Sequence, residues 1–275
     1  MKDWKTILAK SPPSNFWYSA HDCMIHAHHW NYTDDFTLIL IHGAIANNIW
    51  WQHIASQMNR GQVYAVDLSG HGQSEWDTPY TLAKHAEEIE VLIDSYSKGP
   101  VYIVGHSYGG AVAALAAAHR QVSHAVMLDT PLYIALDHKA PSARAYRKYV
   151  YKTKEEAVSR FKPIPNQPIL DEALLEHVAL SSLKVDEGGY VWQFDPSFHK
   201  RDVSLADQAL IKPMLPSMSY WYGEYSPFAT EATLSRVRDM GMQCASISNA
   251  YHAVMLDNPD EVIALINNIL PSLDR

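Results

Sequence analysis

Four short runs of almost unbroken apolar residues, at 36–41, 63–66, 101–104 and 125–128, punctuate the first half of the chain. Apolar residues at successive rather than alternate positions predict strands covered on both faces, as in a parallel sheet. Each run ends in a polar or glycine turn. Between the runs the spacing changes to that of a helix. The clearest case has Thr81 as N-cap and Leu82, Ala86, Ile89, Ile93 and Tyr96 on one stripe. Strands and helices alternating at this length predict βαβ units, hence an α/β fold with a mostly parallel central sheet flanked by helices.

The alternation breaks down from about Pro131 to Pro213, a stretch richer in charge, proline and aromatics. Helical segments are predicted there at 142–151 and 171–183. Strand character returns at 218–222 and 242–247. A closing helix is predicted over 259–270, with Val262, Ile263, Ile266 and Leu270 on its buried side. The expected organisation is an α/β core formed by 1–130 and 214–275, interrupted by a helical lid or cap at 131–213. Insertions of this length usually carry function. Its aromatic stretch at 190–196 is expected either to pack the insertion onto the core or to line an acyl pocket.

Composition narrows the partners. The 275 residues are 47% hydrophobic and 19% charged, with a formal net charge of −8. That balance suits a soluble globular protein and argues against nucleic acid or an anionic membrane as the main partner. No apolar run approaches the ~20 residues that span a bilayer. Residues 1–16 contain Pro12 and Pro13 and no continuous apolar stretch, so no secretory signal is expected, and the chain is expected in the cytoplasm. Cys23 and Cys244 lie in segments that read as strands, and both are expected as buried thiols.

The candidate chemistry lies at Gly105-His106-Ser107-Tyr108-Gly109, between the run at 101–104 and an alanine-rich helical segment. A strand that turns into a helix within one residue forces that residue into a strained conformation and leaves no room for bulky neighbours. Ser107 would then stand exposed at the carboxyl edge of the sheet, where open α/β sheets bind ligands. The first amides of a helix point toward developing negative charge. The N–H of Tyr108 is therefore one candidate oxyanion donor, and that of Ala44, after His42-Gly43, is the second. The chain has 15 histidines. His26, His28 and His29 are adjacent, but on a strand His29 faces away from the other two, so no metal site is expected.

These features resemble the α/β-hydrolase fold family over nearly the whole chain outside the insertion. His42-Gly43 resembles the family's oxyanion loop, and the segment from Asp67 to Ser74 its D-x-x-G-x-G-x-S loop. Gly105 to Gly109 resembles the nucleophile elbow, and Tyr251-His252 with the following helix the final histidine loop. The resemblance implies Ser107 as nucleophile and His252 as general base. With serine rather than aspartate at 107, dehalogenase and epoxide hydrolase chemistry is disfavoured. In many members the acid sits where this chain has Ser226, a departure from the pattern. Asp129, ending the run at 125–128, is the favoured substitute, and Glu224 is the alternative.

The resemblance implies a serine hydrolase that cleaves a carboxylic ester through an acyl-enzyme, without a cofactor. A thioesterase, lactonase or carbon–carbon bond hydrolase would use the same parts. A binding or receptor-like protein on the same fold is the reading from another class. The aromatic insertion favours a small-molecule substrate with a hydrophobic portion.

Overall fold

Every residue of β3 (Thr37–Ile41) is buried, and its side chains feed two separate cores. Ile39 and Ile41 face one hydrophobic cluster, Leu38 and Leu40 the other, as alternation along a strand requires. β4 (Gln62–Asp67) and β5 (Val101–His106) are likewise buried throughout. This is why their sequences read as unbroken apolar runs. The structure is a computed structural model that describes residues 2–131, 148–186, 188–203 and 217–272.

The sheet has eight strands. β1 (Ser14–Ala20) and β2 (Cys23–Asn31) precede those three, and β6 (Val122–Leu128), β9 (Met218–Gly223) and β10 (Gln243–Ile247) follow. Their order is β1-β2-β4-β3-β5-β6-β9-β10. Only β1–β2 and β2–β4 pair antiparallel. A short helix, α1 (Trp4–Lys10), leads in. The β1–β2 hairpin turns through His21 and Asp22, both with positive φ, the geometry of a two-residue primed turn. No Asn-Gly or Asp-Gly pair marks that turn; the sequence reads the segment around Cys23 as a strand, but β1 and the hairpin pairing carry no such signal.

Helices cover both faces. α3 (Leu82–Tyr96) and α4 (Tyr108–Ala116) supply one core, while α2 (Ile49–Ala55), α8 (Val254–Asp257) and α9 (Pro259–Ile269) supply the other. The Thr81 hydroxyl caps α3 by accepting from Lys84 N–H. The stripe expected on α3 is buried up to Ile93, but Tyr96 is exposed and packs edge-on against Phe16. On α9, Val262 and Ile266 are buried, and Ile263 and Leu270 partly so.

Between β6 and β9 the described residues contain α5 (Lys154–Arg160), α6 (Glu172–Ser181) and a short 3-10 turn (Pro196–Lys200). They also hold a small hairpin of β7 (Leu183–Asp186) and β8 (Gly189–Trp192), so this stretch is not purely helical. The helix expected at 171–183 is α6, with Asp171 as its cap. Of the helix expected at 142–151, residues 142–147 lie outside the described residues, and Tyr151 instead forms a bridge to Tyr190. α7 (Glu231–Asp239) separates β9 from β10.

Cys23 is buried as expected, but Cys244 is exposed. It sits on β10, the edge strand, whose outer positions no helix fully covers. Among the described residues no helix is long and apolar enough to cross a membrane.

His85 and Glu88 on α3 are buried as well, although the stripe left them out. The loop after β4 lies over them and donates Ser69 N–H to Glu88 Oε2 at 3.0 Å. Glu88 Oε1 has no partner among the described residues, and burial raises the Glu88 pKa to about 7. Below about pH 4.5 Glu88 is protonated in both folded and unfolded chains. As pH rises toward 7 only the unfolded chain releases the proton, so folding stability falls over that window and the cost is fully expressed above it. Glu88→Gln keeps an acceptor for Ser69 without the charge. It is expected to stabilise the fold by on the order of 3 kcal/mol at pH 8 and by little below pH 5. Thermal melts at the two pH values check this, and equal shifts at both would contradict it.

Candidate active site

Five neighbouring parallel strands, β3, β5, β6, β9 and β10, deliver the site from their carboxyl ends. Ser107 follows β5 directly. Its φ of 52° and ψ of −115° are strained for a residue with a side chain. The turn survives because its flanks are empty. A Cβ on Gly105 would lie 2.0 Å from the Gly109 carbonyl oxygen, and one on Gly109 would lie 2.4 Å from that of His42. Ser107 N–H donates to Leu128 C=O at 2.9 Å, which ties the turn to the next strand.

His252, in the loop after β10, reaches back over that turn. Its Nε2 lies 3.1 Å from Ser107 Oγ, and its Nδ1 lies 2.6 Å from Asp129 Oδ2. With Nδ1–H donating to the carboxylate, Nε2 is left as an acceptor for the serine hydroxyl. The loop is held on several sides. His106 Nε2 hydrogen-bonds the His252 carbonyl at 2.9 Å. Tyr251 N–H donates to Asp257, and Ala253 N–H donates to Gln167 Oε1. Gln167 in turn donates to the Asp257 carboxylate, whose pKa burial raises to about 6. The Phe228 ring stands edge-on to the imidazole at 4.7 Å.

Asp129 is fully buried, also at positive φ. Its Oδ1 accepts from Gly223 N–H at 3.2 Å, and its Oδ2 accepts from Ser226 Oγ–H at 2.6 Å. Ser226, noted in sequence only as a departure, thus donates to the carboxylate that contacts His252. Glu224 is exposed, and its carboxylate accepts from Asn249 N–H at 2.9 Å. The structure brings Asp129, not Glu224, to His252.

Gly43 and Ala44 line the same cavity as Ser107 and His252. The loop that carries them is fixed by side chains. His42 Nδ1–H donates to Gly43 C=O, while its Nε2 accepts from Leu68 N–H. Asn48 N–H donates to Asp67 Oδ1 at 2.7 Å, joining this loop to the Asp67–Ser74 segment. Tyr108 opens α4 directly after Ser107. Burial lowers the pKa of His42, and burial beside His252 holds His106 well below the usual histidine range. Neither neighbour therefore competes with His252 for a proton near neutral pH.

The segment at 190–196 docks onto the Asp67–Ser74 loop. Gly72 N–H donates to Gln193 C=O, Asp195 N–H to Gly70 C=O, and Tyr80 Oη–H to Asp195. Trp192 and Phe194 also line a second cavity that shares Trp50 and Phe161 with the first. Packing and lining roles coexist. His26 and His28 share one face of β2, and His29 stacks on Tyr64 from the other. Among the described residues no three His, Cys, Asp or Glu side chains gather as metal ligands.

A model of the alpha/beta hydrolase family matches residues 38–265. The chain belongs to that family. Over 166 residues the chain is 31% identical to the lipase LipV of Mycobacterium tuberculosis, a match covering 57% of the chain and 61% of the lipase. The chain thus spans about three-fifths of that relative's length. It is 23% identical over 249 residues to the esterase Rv0045c of the same organism, covering 85% of the chain and 82% of the esterase. Among solved structures, the thioesterase domain from the curacin biosynthetic pathway superposes with a TM-score of 0.77 at 19% identity, covering 93% of this chain and 99% of that one. A likeness at that identity establishes the fold alone.

The 2.6 Å contact between His252 and Asp129 predicts a strongly deshielded proton on Nδ1. Proton NMR of the hydrolase is expected to give a far-downfield signal that vanishes in Asp129→Asn and persists in Glu224→Gln. The reverse pattern would assign the bond to Glu224.

Proposed function

We propose that this hydrolase cleaves carboxylic esters through a serine acyl-enzyme. Ser107 is the nucleophile, His252 the general base, and Asp129 the acid that orients and charge-stabilises the imidazole. The observation that carries this reading is the hydrogen-bonded chain from Ser107 Oγ through His252 to Asp129. The names of the lipase and esterase relatives support the choice of an ester bond.

Ser107 Oγ attacks the ester carbonyl carbon as its proton passes to His252 Nε2. The resulting imidazolium faces the buried Asp129 carboxylate. The N–H groups of Ala44 and Tyr108 receive the tetrahedral oxyanion, each donor being worth about 3 kcal/mol. Collapse expels the alcohol with the His252 proton. A water molecule, deprotonated by His252, then attacks the acyl group, and the acid leaves as Ser107 regains its proton. No cofactor takes part in these steps. The segment between β6 and β9 acts as the lid: Phe161, Pro163 and Ile164 help to line the cavity of about 350 Å³ over Ser107. That apolar lining supports a substrate with a hydrophobic portion.

The test is labelling with a fluorophosphonate probe beside turnover of p-nitrophenyl esters of graded acyl length and of acyl thioesters. Labelling and turnover are expected in the wild type and lost in Ser107→Ala, with the fold unchanged by circular dichroism. Asp129→Asn is expected to lower kcat by about 10⁴. Labelling without ester turnover but with thioester turnover would move the reading to a thioesterase. Neither labelling nor turnover in a folded protein would favour a binding protein on this fold.

A further inference from the structure

The cavity over Ser107 carries formal charge of one sign. Lys162 and Arg201 line it, and Arg160 with Lys162 lines the adjoining cavity, while neither is lined by an Asp or Glu among the described residues. This occurs in a chain whose net charge is −8. Asp129 does not face the cavity: it is fully buried behind His252 and engaged there.

Arg201 is the most constrained of these cations. It follows the 3-10 turn, and its guanidinium lies 4.8 Å from the Phe198 ring and 5.6 Å from the Tyr108 ring. Phe198 is fully buried, with His71 edge-on at 4.3 Å, so the platform under the guanidinium is rigid. A guanidinium has five N–H donors. Nη1 donates to the Phe198 carbonyl at 3.3 Å, whereas Nε is buried with no partner among the described residues. No carboxylate among the described residues pairs with Arg201. A partly buried, uncompensated charge is costly, and a planar carboxylate would satisfy it with two parallel hydrogen bonds.

We infer that this cavity selects an ester that carries a carboxylate beside an apolar segment, with Arg201 receiving the carboxylate. The inference rests on the ester-hydrolase reading above and adds the charge of the substrate. The apolar walls of Trp50, Phe161 and Ile164 take the remaining chain. Lys162 and Arg160, both exposed, draw the anion toward the opening. The carboxylate can belong to the acyl or to the alcohol part of the ester.

Matched pairs of esters read this directly. p-Nitrophenyl hydrogen glutarate against p-nitrophenyl hexanoate places the charge on the acyl side. 4-(Butanoyloxy)benzoate against 4-(butanoyloxy)benzamide places it on the alcohol side. In the wild type the charged member of one pair is expected to have the higher kcat/KM, an advantage that shrinks with added salt. In Arg201→Met the charged-to-neutral ratio is expected to fall about ten- to a hundredfold, mainly through KM, and Arg201→Lys is expected to restore part of it. The pair that responds identifies the side bearing the carboxylate. A ratio that is the same in wild type and Arg201→Met for both pairs overturns the inference. If no ester is turned over, it is the hydrolase reading that fails. Calorimetric binding of glutarate monoanilide to wild type and Arg201→Met then still reads the arginine, with about tenfold weaker binding expected in the variant and equal binding overturning the inference.

Discussion

The structure depends on one crowded turn. Ser107 holds a backbone conformation that costs of order 1–3 kcal/mol, and it persists only because everything around it is fixed. β5 is buried along its whole length and α4 at every position; they meet with no space for a side chain at Gly105, and α4 meets the end of β3 with none at Gly109. The Ser107 amide is tied to β6, so the turn cannot relax without unpairing the sheet. That rigidity leaves the hydroxyl 3.1 Å from His252 and opens α4 beside the loop that carries Gly43 and Ala44.

The acidic end of the site obeys a different constraint. A carboxylate buried without exposure needs hydrogen-bond donors for its oxygens. Asp129 meets that requirement with Gly223 N–H, the Ser226 hydroxyl and His252. Two of the three come from the end of β9, the strand next to its own. The missing aspartate at 226 is therefore compensated within one hydrogen-bond network. A residue too short and neutral to orient histidine supplies the donor that holds the neighbouring strand's carboxylate.

Buried histidines extend this logic outward from the Ser107–His252–Asp129 chain. His42 and His106 are kept neutral by burial and used as rigid hydrogen-bonding blocks, one fixing the loop that carries Gly43, the other the His252 carbonyl. Among the described residues, Lys162 and Arg201 face the cavity with their cationic side chains. The apolar walls and that unbalanced charge together define what the cavity can hold, and the two features come from different stretches of the chain.

The sequence determined the parts whose signal is local. Unbroken apolar runs marked β3, β4, β5 and β6, because strands covered on both faces need no polar alternation. The Gly-x-Ser-x-Gly spacing marked the turn, because its geometry excludes side chains at fixed positions. The antiparallel β1–β2 hairpin stayed hidden, since its turn uses His21 and Asp22 and its polar residues are buried by pairing, as His26 is with Asp67. From sequence Asp129 was the favoured carboxylate and Glu224 the alternative. Only the tertiary structure decided which lies against His252, because strand order and loop path set that distance. Ser226 as a donor and Arg201 in the cavity were likewise beyond reach of the sequence, since Asp129 and Ser107, which they meet, come from elements far away along the chain.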